Sequence, residues 1–201
     1  MKITLIVLGV LIAGFIGFQI YSMINTSNIE TYPYNVVKTV DDVEIRNYEP
    51  SLFTSVNLST GKYKEGSRKG FSVLADYIFG GNKDNEKIAM TSPVSMSLED
   101  NMEMMFMVPK KYNKENLPQP NQSNIDFKEI PAKTMAAIQF GGWANDKKIE
   151  KHKNELKDIL EANGINYSNS FYFFGYNAPY EIFSRRNEVV VELENQEKFQ
   201  P

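Results

Sequence analysis

The stretch Glu86-Lys-Ile-Ala-Met-Thr-Ser-Pro-Val-Ser-Met96 (EKIAMTSPVSM) reads almost as a β-strand, yet Pro93 sits inside it and Met90 and Met96 flank the proline. Proline offers no N–H to a sheet ladder, so Pro93 marks an edge, a bulge or a strand start. Residues 86–92 are therefore expected to form an approach and residues 94–98 a strand. Methionine, flexible and polarizable, suits either a core or a cleft that closes on something irregular. The motif is expected to be structural, with Pro93 ending the approach and Val94 opening a buried strand.

N-terminal to this motif, Val43-Glu-Ile-Arg-Asn-Tyr and Phe53-Thr-Ser-Val-Asn-Leu alternate as two strands joined across Glu49-Pro50. Phe71, Leu74, Ala75 and Ile78 then recur at helical spacing and predict a helix from about Tyr63 to Phe79, stopped by Gly80-Gly81. C-terminal to the motif, Met102-Glu-Met-Met-Phe-Met-Val predicts another strand, ended by Pro109. After the loop Leu117-Pro-Gln-Pro the same order returns. Strands are expected at Ile125-Asp-Phe-Lys-Glu-Ile and Thr134-Met-Ala-Ala-Ile-Gln-Phe, then a helix from about Asn145 to Ala162 stopped at Asn163-Gly164. Phe171-Tyr-Phe-Phe and Glu188-Val-Val-Val-Glu-Leu complete the set. Each half reads ββαββ, which predicts a pseudo-twofold α+β domain with antiparallel strands in a sheet or distorted barrel and two helices packed on it. Such packing leaves a groove beside a helix.

Ahead of the domain, Ile3 through Ile24 carries no charge, and Thr4, Gln19 and Ser22 are its strongly polar residues. That length spans a bilayer. A cleaved signal has a shorter apolar core and small residues at its cleavage site, whereas Phe18-Gln-Ile-Tyr-Ser-Met23 stands here, so the pattern favours an uncleaved anchor. A buried core helix would show a polar stripe. Lys2 precedes the span and the next basic residue is Lys38, which places the N-terminus inside and the domain outside the cytoplasm of a single-pass membrane protein. The expected division is an anchor over 1–24, a linker over 25–31, a domain over 32–195 and a tail over 196–201.

Composition removes several function classes. A net charge of -3 gives no basic field of the kind nucleic-acid binding uses, so no nucleic-acid partner is expected. The absence of cysteine excludes disulfides, thiolate catalysis and cysteine-held metals. One histidine and no glycine-rich phosphate loop after a strand leave no visible nucleophile, base or metal cluster, and the chain is not expected to be an enzyme. Nothing in the sequence points to a protein partner.

Five stretches in order now carry a resemblance: Glu30-Thr-Tyr-Pro-Tyr-Asn-Val, Tyr77-Ile-Phe-Gly-Gly-Asn, Lys87-Ile-Ala-Met-Thr-Ser-Pro-Val, Gln139-Phe-Gly-Gly-Trp, and Gly175-Tyr-Asn-Ala-Pro with Arg185-Arg-Asn-Glu-Val. The chain resembles the SOUL family, also called the haem-binding protein family, from about Glu30 to Leu193. The resemblance implies a distorted antiparallel β-barrel flanked by two helices. It also implies binding of haem or a related tetrapyrrole, in a cleft beside the first domain helix and a late loop, with basic residues at its mouth. Haem needs an apolar slot, cations for its propionates and, optionally, an axial ligand. Arg68 matches a basic position of the family, and Phe71, Leu74, Ala75 and Ile78 offer an apolar face beside it, with Tyr180 of the late loop completing the candidate set. Asp76 further along the helix and Glu181 in the late loop place acids where a dicarboxylate favours bases. The expected function is that of a membrane-tethered haem carrier or buffer; the alternative is a scaffold or sensor domain for another small hydrophobic ligand.

His152 lies at helical spacing with Ile149, Leu156, Ile159 and Leu160 and is read as a packed histidine bonded to a backbone group rather than an iron ligand. Met90, Met96, Met102, Met104, Met105 and Met107 are read as core filling, which leaves the axial ligand unassigned. Arg185-Arg186 is read as a turn held near the last strand, Trp143 as packing at a helix entrance, and Lys62, Lys64, Arg68 and Lys69 as a basic patch around the start of the first helix.

Overall fold

The computed structural model describes residues 2–27 and 29–194; the expected tail over 196–201 lies outside them. A helix, α1 (Lys2–Ser27), runs three residues beyond Ile24 and precedes three strands, β1 (Tyr34–Val40), β2 (Val43–Tyr48) and β3 (Ser51–Asn57). Helix α2 (Tyr63–Ile78), β4 (Val94–Ser97) and β5 (Glu103–Met107) complete the first half. The second half is β6 (Ile125–Ile130), β7 (Lys133–Gly141), α3 (Asp146–Ala162), β8 (Tyr167–Gly175) and β9 (Arg186–Leu193).

The strands form one curled antiparallel sheet in the order β1-β2-β7-β9-β8-β4-β5-β3-β6, a half-barrel in which β1 and β6 are the edges. Exchanging the halves, β2 for β6, β3 for β7, β4 for β8 and β5 for β9, turns the run from β2 to β6 into its own reverse. The pseudo-twofold axis therefore passes between β4 and β8, which pair from Val94↔Gly175 to Ser97↔Tyr172. Only β1 breaks the symmetry, and the periodic reading lacked it. Its residues are exposed from Asn35 to Thr39 and its register shifts between Val36 and Lys38, so an edge strand with no buried face leaves no alternation to read.

Both faces of the sheet are covered. Met104 and Phe106 of β5 join the main core with Leu74, Tyr77 and Ile78 of α2 and Ile149, Leu156 and Leu160 of α3. Met105 and Met107, one step out of phase, join Tyr32, Tyr48, Phe53 and Phe174 on the opposite face. Helix α2 lies close to the sheet because Gly66 and Gly70 face it: a Cβ on Gly70 would stand 2.9 Å from the Cβ of Met104 in β5, and one on Gly66 would stand 3.1 Å from Met96 Cε in β4. The two helix starts are tied together, since the Tyr63 N–H donates to the Asp146 carboxylate at 2.7 Å and so satisfies an orphan donor of α2 from the first residue of α3.

The opening motif is held by the Thr91 hydroxyl and the Ser92 backbone. Thr91 Oγ1 donates to the Met107 carbonyl at 2.6 Å, and Ser92 exchanges backbone bonds with Glu30 and Tyr32. Pro93, after a cis peptide bond, leads into β4 as expected. Val94 departs from the expectation of a buried residue: it is half-buried and lines a cleft, while Ser95, Met96 and Ser97 are buried.

Beneath the sheet, on the face that carries Met135, Glu188 is fully buried and accepts from Arg46 Nη1 and Nη2 at 2.8 and 3.0 Å, from Arg186 Nε at 2.9 Å and from the Tyr176 hydroxyl at 2.8 Å. Burial alone would raise the Glu188 carboxyl, but hydrogen bonds and charge from Arg46, then Arg186, bring it below its ordinary value.

Candidate ligand-binding cleft

A cleft of about 840 Å³ opens along the flank of α2. The helix supplies Arg68, Phe71 and Ala75, with Phe79 as its C-cap; β4 and β5 supply Val94, Met96 and Met104; β8 supplies Phe173. Trp143 and Ala144, from the turn before α3, and Asn177, Pro179 and Arg185, from the loop between β8 and β9, close the other wall. A pocket of this size with aromatic walls and charged and polar side chains among its lining suits a small molecule that has both apolar faces and polar edges. A void of about 20 Å³ on the opposite sheet face, lined by Tyr32, Phe53 and Ser95, has room only for a water-sized occupant.

Charge at the cleft is uneven. Arg68 is exposed at the mouth and, among the described residues, has no hydrogen-bond or ion-pair partner. Lys64 lies one turn earlier on the same wall. Arg185 stacks over the Trp143 ring at 4.1 Å, and its Nη1 donates to the Ala178 carbonyl at 2.9 Å and to that of Glu181. Burial pulls the Arg185 guanidinium down from its ordinary value, partly offset by Tyr63 and Glu181. Asp76 is the acid on the cleft wall, and its carboxylate accepts from Gln122 Nε2 at 2.9 Å.

The predicted helix face divides in two. Arg68, Phe71 and Ala75 line the cleft, whereas Leu74 and Ile78, 0% and 4% exposed, turn into the main core. The apolar period locates the buried side of an amphipathic helix, and the cleft runs along its shoulder. Tyr180 belongs to the expected loop but stands outside the cleft, its ring 5.9 Å from that of Phe18 in α1. Glu181 also faces away: buried at 1% exposure, it accepts from Ser22 Oγ at 3.0 Å and from Asn177 Nδ2 at 2.9 Å, and Arg185 is the loop's charge at the cleft. Arg185 and Trp143, read from sequence as turn and packing, are cleft residues that the periodic reading missed.

Iron ligation finds no imidazole here. His152 stacks on Phe140 at 4.2 Å with its Nδ1 2.7 Å from the Lys148 carbonyl, as the packed reading expected, and lines no part of the cleft. Met96 and Met104 are buried core residues whose side chains also reach the cleft floor. The donor set fits a tetrapyrrole held by apolar contact and by charge on its carboxylates, with methionine thioethers as the soft donors nearby.

A family model described as SOUL heme-binding protein matches residues 29–192. Heme-binding protein 1 of Xenopus laevis is 30% identical over 155 residues, covering 73% of this chain and 80% of that protein. Heme-binding protein 1 of Mus musculus is 28% identical over 175 residues, covering 81% and 92%. Heme-binding protein 2 of Homo sapiens is 26% identical over 155 residues, covering 73% and 75%. Among solved structures, the C-terminal domain of EcmrR matches with a TM-score of 0.60 at 14% identity, covering 80% of this chain and 98% of that one. A hydrolase from Listeria innocua matches with a TM-score of 0.55 at 8% identity, covering 78% and 94%. At these identities the structural likeness is one of fold alone.

Proposed function

The chain belongs to the SOUL heme-binding protein family, and from that membership together with its cleft we propose that it binds haem or a related tetrapyrrole beside α2, without catalysis, as a membrane-tethered carrier or buffer. The observation that carries the reading is Arg68, a cation with no hydrogen-bond or ion-pair partner among the described residues, at the mouth of an aromatic-walled cleft of about 840 Å³. A guanidinium in that position gives a propionate a charge-assisted partner, while Phe71, Phe79, Trp143 and Phe173 take the porphyrin faces. Arg185 and Lys64 add positive charge on the same walls.

Tethering rests on α1. Lys2–Ser22 is long and apolar enough to cross a membrane, with a mean hydropathy of 2.5. Its burial is the reverse of a soluble core helix: the apolar side chains are exposed, and Gln19 and Ser22 are buried against the domain. That pattern suits lipid outside and polar contacts inside. Lys2 favours a domain outside the cytoplasm.

Asp76, a carboxylate on the cleft wall, favours a second reading, in which the cleft takes a different small hydrophobic ligand with no acidic groups. A Soret-band titration of the full chain in detergent separates the two. Saturable one-to-one binding supports haem. A flat titration, with another hydrophobic molecule retained from the cell by the same preparation, supports the second reading.

A further inference from the structure

The loop that walls the cleft is also the loop that grips α1. Gln19 Nε2 donates to the Tyr180 carbonyl at 3.1 Å, the Ile182 N–H donates to Gln19 Oε1 at 3.3 Å, and Ser22 Oγ donates to Glu181 Oε1 at 3.0 Å. These bonds fix the loop's depth. The apolar span of 21 residues ends at Ser22, and at about 1.5 Å per residue it covers about 30 Å, the hydrocarbon thickness of a bilayer. A loop bonded to residues 19 and 22 therefore reaches back to the end of that span rather than standing clear of it.

The loop's exposed side chains suit that depth. Tyr180, Ile182 and Phe183 are between 42% and 55% exposed; the Tyr180 ring stands 5.9 Å from Phe18 of α1, and Ile182 is bonded to Gln19 through its N–H. Aromatic and aliphatic side chains are costly to leave in water when contiguous, and aromatic rings favour the headgroup level. The same segment presents Asn177, Pro179 and Arg185 to the cleft. Its inner side is cleft wall and its outer side is apolar.

We infer that Tyr180, Ile182 and Phe183 form a lipid-contacting surface seated in the bilayer interface, and that the cleft exchanges its apolar ligand with the bilayer rather than with bulk water. This rests on the reading of α1 as a membrane span. The partner is the lipid bilayer itself, specified by continuity with the span. An amphipathic ligand, with apolar faces and ionic edges, dissolves in such an interface and reaches the cleft without crossing water.

The chain has no cysteine, so Phe183→Cys and, as a control on exposed α3, Lys151→Cys each give one site for a spin label in the full chain. In vesicles of phosphatidylcholine and phosphatidylglycerol, the label at 183 should be more accessible to oxygen than to a water-soluble nickel chelate, and the label at 151 the reverse. Equal nickel accessibility at the two sites overturns the lipid contact, whether or not haem binds. Release of the chain by an alkaline carbonate wash overturns the span on which the contact rests. For exchange, haem-loaded vesicles should load wild type faster than Phe183→Asp, by on the order of tenfold, as expected for losing an interfacial aromatic. The two proteins should bind haem equally in detergent. Equal loading rates from vesicles overturn exchange through the bilayer.

Discussion

Ser22, in the last turns of the apolar helix, donates a 3.0 Å hydrogen bond to Glu181, a carboxylate that is 1% exposed and lies in the loop walling the cleft. The contact joins residues 159 positions apart in sequence. It links the position of the helix to the shape of the cleft, because Asn177 and Arg185 of the same loop are lining residues.

Ser22→Ala should loosen that loop. The lost hydrogen bond is worth about 1 kcal/mol, and the effect should be local, since Asn177 Nδ2 and the Ala178 N–H still donate to Glu181 Oε2. Hydrogen exchange over residues 177–185 should accelerate while β5 and β9 keep wild-type protection. Unchanged exchange in the loop would show that the helix does not brace it.

Glu188 should govern acid stability. Its carboxyl is depressed in the folded chain, so the unfolded state binds more protons and stability rises with pH. The contribution is full above the unfolded value of about 4.3 and is lost as pH falls through the lower folded value. Urea midpoints measured downward from about pH 6 should fall across that window. Glu188→Gln should remove part of the slope and cost about 3–5 kcal/mol at neutral pH, because the buried Arg46 loses its buried anion and keeps only the half-exposed Glu44. An acid-side slope that is the same in wild type and variant would assign it to other carboxylates.

Leu74 and Phe71 should separate stability from affinity. Leu74→Ala empties a fully buried core position and should cost about 2–5 kcal/mol of folding stability, with haem affinity of the folded protein unchanged. Phe71, half-buried and 5.4 Å from Phe106, lines the cleft, so Phe71→Ala should weaken haem binding as well. Calorimetry and Soret titration of both variants check this. Equal affinity losses would return the two residues to one face.

An extracytoplasmic domain should be open to protease. In intact cells, proteinase added outside should degrade the domain, and permeabilisation should add little. Full protection until the membrane is opened would reverse the orientation read from Lys2.

The long amphipathic helices and most strands were legible because each buries one periodic face: α3 was expected from about Asn145 to Ala162 and spans Asp146–Ala162. Strand β1 was not, because it buries almost nothing. The palindromic strand order lies in pairings between distant residues, such as Val94 with Gly175, which periodicity does not encode. At the cleft, Arg68 was legible as a cation beside an apolar run. Leu74 and Ile78 turn into the core rather than the cleft, because hydrophobic spacing marks the core side of a helix. Arg185 was out of reach, since its place on the cleft wall depends on stacking over Trp143, which arrives from the turn before the other helix. Tyr180 stands on the far side of its loop from the cleft, because its partner Phe18 lies in the apolar helix rather than the domain.

The most direct test of the central claim is the affinity of wild type and Arg68→Ala for haem and for haem dimethyl ester, measured by Soret titration in detergent. Arg68 meets a propionate through charge, so its loss should weaken haem about tenfold, or about 1.4 kcal/mol. The uncharged ester should bind the two proteins alike. Wild-type affinities of Arg68→Ala for both ligands would contradict the account, placing the ligand away from α2 or its charge away from Arg68.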